Sequence, residues 1–178
     1  MSRLHSIAAL GLGLSACAGA PVQVDPARTP EQQMERLLTE GLNQALEQVQ
    51  AQYELLPFAL VLHRDGSTEK LGGGSTDPLD TTNSQVSMAP DPAKLLAGLE
   101  QRVAREAKDR GDVTAVGFFS DTEVKLPSGQ EKGAVRAGIE HASGACEEVF
   151  APIGRVGNDV VYDARITEKR RGVVFTCK

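Results

Sequence analysis

Two stretches of the chain repeat apolar residues at the three- and four-residue spacing of a helix surface. In the first, Met34, Leu37, Leu38, Leu42, Ala45, Leu46, Val49 and Tyr53 form one stripe, with Glu35, Glu40, Gln44, Glu47 and Gln48 outside it. Its start is written as Thr29-Pro30-Glu31-Gln32. Threonine caps, proline takes the first helical position, and the glutamine three residues after the cap completes a capping box. Gly41 lies inside this helix and costs about 1 kcal/mol relative to alanine, a cost that packing must offset. Pro57 closes the segment. The second stripe, Leu95, Leu96, Leu99, Val103 and Ala107, follows Asp91-Pro92 and stops at Gly111. Its last two turns carry Arg102, Arg105, Lys108 and Arg110, a solvated basic face that suits the helix dipole.

Elsewhere the pattern is that of strands. The continuous apolar run from Phe58 to His63, bounded by proline and by Asp65-Gly66, predicts a central strand paired across a hairpin with Ser67 to Leu71. Residues 72–90 are rich in Gly, Ser, Thr and Asp and predict a long connection. Gly72-Gly73-Gly74-Ser75 has no lysine after it and no helix start nearby, so it is not a phosphate loop. From Val113 onward short strands alternate with turns: Val113 to Phe119, Glu123 to Leu126, Ala134 to His141, Ala145 to Ile153, Asp159 to Thr167 and Val173 to Cys177. With no helix among them, consecutive strands are antiparallel neighbours. The expected fold is α+β, two amphipathic helices packed on one face of a curved, mainly antiparallel sheet of six or seven strands.

Alternation within strands assigns faces. Val135, Ala137 and Ile139 oppose Arg136, Gly138 and Glu140; Val160, Tyr162, Ala164 and Ile166 oppose Val161, Asp163 and Arg165. Since antiparallel sheets commonly bury one face only, Arg136, Glu140, Asp163 and Arg165 are expected together on a wet polar surface, which is either the candidate binding site or a set of cross-strand ion pairs without function, the commoner case on sheets.

The first residues follow a different rule. Arg3, the short apolar run Ile7 to Leu14, and Leu14-Ser15-Ala16-Cys17 make a secretory signal rather than a span, which needs about 20 apolar residues. Leu14 to Cys17 resembles the lipobox of bacterial lipoproteins, cut before a cysteine that is then acylated. The resemblance implies a signal peptide over 1–16, lipidation of Cys17 with fatty acids such as palmitate, a flexible tether over 17–28 and a single domain over 29–178. Ala18 is not the aspartate that retains such proteins in the inner membrane, which implies an outer-membrane anchor facing the periplasm. Ala115 to Pro152 is also similar to a family of small bacterial α+β proteins of unknown function. The marks are a hydrophobic strand, the Pro127-Ser128-Gly129 turn, an alternating strand ending in Glu140-His141, the Ser143-Gly144 turn and a closing proline; they imply strands and no activity.

Removing residues 1–16 leaves 162, enough for one core: chains of about 150 residues bury roughly 68–70% of their surface. Only Arg3 leaves with the signal, so 18 basic face 24 acidic residues, a net charge of −6. Such a domain, without a basic stripe or tryptophan, offers no footing for nucleic acid. With Cys17 acylated, Cys146 and Cys177 remain in a compartment where thiols oxidise. They are either buried thiols or a disulfide, which on the chain-entropy model stabilises by about 3.5–4 kcal/mol.

No catalytic signature or metal spacing is found. Glu140 and His141 are strand neighbours and point to opposite faces. His63 ends a buried strand with no nucleophile motif beside it. Glu147-Glu148, and Asp121 with Glu123, read as solubilising carboxylates. The expectation is therefore a membrane-anchored, non-catalytic binding module without cofactor or metal. A concrete form is an inhibitor or immunity-type lipoprotein that holds a periplasmic protein partner, a cationic lytic enzyme suiting its acidic charge. An envelope hydrolase using His63, or a structural lipoprotein, is the alternative.

Overall fold

The computed structural model describes residues 28–52, 54–73 and 91–178. Residues 1–16, read as a signal peptide, Cys17, most of the expected tether, Tyr53 and most of the glycine- and serine-rich connection lie outside them. The elements run α1 (Pro30–Gln52), β1 (Phe58–His63), β2 (Thr68–Gly72), α2 (Pro92–Arg110), β3 (Val113–Lys125), β4 (Glu131–His141), β5 (Cys146–Val156), β6 (Asp159–Tyr162) and β7 (Ile166–Lys169). The fold is α+β: two helices and an open seven-stranded sheet in the order β2-β1-β3-β4-β5-β6, with β7 also on β5 and all pairings antiparallel.

Both helix starts form as their sequences dictate. The Thr29 N–H donates to Gln32 Oε1 at 3.0 Å while the Gln32 N–H donates to Thr29 Oγ1 at 3.4 Å, a closed capping box. At α2, Asp91 Oδ1 accepts from the Ala93 N–H at 3.0 Å, and Gly111, at φ 66°, ends the helix by donating to the Ala107 carbonyl.

The helices do not share a face. Met34, Leu37, Leu38, Leu42 and Ala45 of α1 pack on Phe58, Leu60, Leu62, Phe119, Val135, Ala137 and Ile139. Leu99 and Val103 of α2 pack on Ala59, Val61, Val116 and Phe118, the opposite side of the same strands. The expectation of both helices on one face is thus corrected to a helix on each. The reason is in β1: all six of its residues are buried, and a strand apolar at consecutive positions needs cover on both sides. Gly41 finds its purpose here. A Cβ at that position would stand 1.9 Å from Phe119 Cζ, so glycine lets α1 lie on the ring, which itself stacks on Phe58 with centroids 4.9 Å apart.

Beyond shifts of one to three residues at strand ends, three strand assignments differ from those read in the sequence. Val113–Phe119 and Glu123–Leu126 are one strand, because Ser120, Asp121 and Thr122 pair without interruption with Arg136, Val135 and Ala134. Asp159–Thr167 is broken in two. Between Tyr162 and Ile166 the chain takes one residue more than β5 takes between Ile153 and Phe150, a bulge in an otherwise continuous partner of β5. Tyr162, just before the bulge, donates its hydroxyl to the Leu42 carbonyl of α1 at 2.7 Å, and burial pushes its phenol pKa up. Finally, Val173–Cys177 is not a strand. With β4 on one edge of β5 and β7 on the other, no edge remains for it there, and it crosses the sheet on the α2 side instead.

Candidate functional site

Along β4, Arg136, Gly138 and Glu140 point to the α2 side, as alternation requires. That side is not open to water at Glu140, whose exposure is 0%. The expected wet surface is thereby corrected: the C-terminal segment covers it. Arg170, following β7, lays its guanidinium against three carboxylates, with Nε 2.9 Å from Glu140 Oε1, Nη1 3.2 Å from Glu148 Oε1 of β5 and Nη2 3.2 Å from Glu100 Oε1 of α2. Its Cζ sits 5.6 Å over the Phe118 ring. Beneath it is Gly138, where a Cβ would stand 2.2 Å from Nη1 and 2.4 Å from Cζ. Glycine on the strand makes the socket. Burial by itself would push the guanidinium pKa down; the hydrogen bond and charge of Glu140, then those of Glu100, outweigh it and raise the pKa, so the group is a permanent cation.

Glu140 receives more than this cation. The backbone N–H groups of Val173, Val174 and Phe175 converge on its carboxylate at 2.8 to 3.1 Å. A buried carboxylate is costly unless its lone pairs are filled, and these successive amides with Arg170 Nε fill them. The disulfide between Cys146 and Cys177, Cα atoms 5.6 Å apart, fastens the same segment to β5, opposite Glu140 in the ladder. Lys178 adds an N–H bond to the Gly144 carbonyl at 3.0 Å.

The other candidate residues are dispersed. Arg136 is half-exposed and held by Glu148, with Nε and Nη2 each 2.6 Å from Oε1. Asp163, in the bulge, pairs with Lys132 of β4. Arg165 turns to α1, Nη1 lying 3.1 Å from Glu35 Oε1. Arg136 and Glu140 therefore share one network, and Asp163 and Arg165 belong to separate surface pairs, which contribute about 0–1 kcal/mol each. Sequence reading missed Arg170, Glu148 and Glu100 as members. The available signal was Arg170 itself, a cation beside the strand-like apolar run that follows it.

Each described histidine has a partner within the chain, and His63 Nδ1 is buried without a hydrogen bond. His63 Nε2 is 3.2 Å from Glu69 Oε2, and Nδ1 is 3.4 Å from Asp112 Oδ2. Arg110 in turn pairs with both carboxylates. Among the described residues no hydroxyl or thiol is hydrogen-bonded to that ring. The two carboxylates face different ring nitrogens, so they do not converge with the imidazole on one point. At His141, Nδ1 accepts the Ser143 N–H at 2.9 Å, which leaves Nε2 to donate to Gln33 Oε1 at 3.1 Å. Burial lowers its pKa, against a small opposing pull from Glu31. The Ser143 hydroxyl is also 2.9 Å from Nδ1, but the one lone pair there is already engaged by the backbone amide.

Among the described residues no helix is long and apolar enough to cross a membrane, and no three His, Cys, Asp or Glu side chains form a group able to hold a metal ion. Comparison of the chain with protein-family models, curated proteins and solved structures finds no match in any of the three.

Proposed function

We propose that this chain is a lipid-anchored envelope protein whose single domain acts as a non-catalytic binding module in the periplasm, of the inhibitor or immunity type. The observation that carries the reading is the state of the Glu140–Arg170 network. Its buried charges, Glu140 and Arg170, are each engaged by groups of the same chain, which makes the network a structural platform rather than a set of groups awaiting a substrate. A disulfide fastening that platform is in keeping with an oxidising compartment, and the lipobox at Cys17 supplies the anchor to the outer membrane. Binding then falls to the exposed acidic surface, and a cationic periplasmic enzyme is the partner whose field complements it.

Three measurements test this. Mass spectrometry of the mature protein is expected to find an acylated Cys17 at the N-terminus; an unmodified terminus, or residues 1–16 still attached, defeats the anchor. In a pull-down from periplasmic extract, one stoichiometric partner is expected, and the charge reversal Asp163→Arg, which takes negative charge off the surface, is expected to weaken its capture. Turnover of an envelope substrate that disappears in His63→Ala would replace the binder by a hydrolase.

A further inference from the structure

The C-terminal segment is attached in an unusual way. It joins no ladder of the sheet, and no residue of it enters the core between α1 and the sheet. On the α2 side the buried cluster is built by β1, β2, α2 and β3, and Val174 and Phe175 rest on its margin, partly exposed. Its fastenings are the Glu140 carboxylate, the Arg170 socket, the single backbone bond from Lys178 and the Cys146–Cys177 bond.

These fastenings differ in how readily water replaces them. Were the segment to lift, Glu140, Glu148 and Glu100 would be hydrated, and the amides of Val173 to Phe175 would hydrogen-bond to solvent, so the polar seat loses little of its bonding. The covalent bond has no such substitute. Cys146, at the start of β5, and Cys177, in the strap, are both only half-buried, within reach of a thiol reagent.

We infer that Arg170 to Lys178 form a redox-latched strap: reduction of Cys146–Cys177 frees it to lift from the sheet while the two helices and the sheet stay folded. The reductant is a dithiol. One thiolate attacks a sulfur of the protein disulfide to give a mixed disulfide and a cysteine thiolate. The second thiol of the reagent then displaces the other cysteine, so the reagent leaves as a disulfide and two protons end on the cysteine thiols. Lifting uncovers an acidic socket, Glu100, Glu140 and Glu148, with Arg136 as its remaining cation. This inference does not depend on the proposed binding role.

The test is amide hydrogen exchange on the full chain, with and without dithiothreitol, with alkylation mass reporting the state of each cysteine. On reduction the amides of Val173, Val174 and Phe175 are expected to exchange about tenfold faster or more, while those of β1 and β3 remain protected. Cys177→Ser, which needs no reductant, is expected to give the same pattern. Tail amides as protected in the reduced protein as in the oxidised one would overturn the strap. So would loss of protection in β1 and β3 together with the tail, because the disulfide would then hold the whole domain.

Discussion

A carboxylate beyond the reach of water depends on the protein for every donor, and Glu140 draws its donors from residues thirty or more positions away in the chain. In the oxidised protein Glu140→Ala is expected to destabilise by about 3–5 kcal/mol, the range for removing one partner of a buried ion pair, as read from urea denaturation. Gly138→Ala probes the same socket from below. Its methyl group would overlap the Arg170 guanidinium, and a loss of about 1–3 kcal/mol is expected for overpacking there. His141 makes stability depend on pH. Because its folded pKa lies below 6.5, the unfolded chain binds a proton between the lowered value and 6.5 that the folded chain does not. Stability should therefore decline as pH falls through that window and be level above it. Urea midpoints measured from about pH 7.5 down to about pH 5 should trace this decline, and His141→Gln should remove that part of it.

At the scale of elements, two helix glycines look alike in sequence and differ in space. Gly98 in α2 has nothing within 4 Å of a built Cβ, so Gly98→Ala should stabilise by up to about 1 kcal/mol through helix propensity. Gly41→Ala should instead destabilise, because the new methyl group meets Phe119. Thermal unfolding of the two variants side by side checks both signs. What could be read in advance followed the same line between local and distant causes. The two capping signals, the hairpins and the strand Phe58–His63 are local, and they form as written. Val173–Cys177 has strand composition, but a strand also needs a free edge, and which edges are free is a property of the whole sheet. Glu140 was assigned its face correctly by alternation and its exposure wrongly, since nothing near it in sequence announces the segment that covers it.

For the molecule as a whole, the unread clue was that six successive buried residues in β1 demand cover on two sides. The result is a sheet between α1 and α2 with two separate apolar clusters. Leu37→Ala and Val103→Ala, one in each cluster, should lower stability by about 2–4 kcal/mol apiece. As they share no packing partners, the double variant should equal the sum within about 0.5 kcal/mol. A larger discrepancy would mean that the sheet transmits repacking from one layer to the other.

The cover of Glu140 lies thirty residues and more downstream of it, and that has a consequence for how the protein is made. Synthesis reaches Glu100, Glu140 and Glu148 first, so three glutamates wait, facing Arg136, until Arg170 and the amides after it have followed them out of the exit tunnel. A premature stop at codon 170 would leave every helix and strand encoded and yet deliver a chain with that wait made permanent.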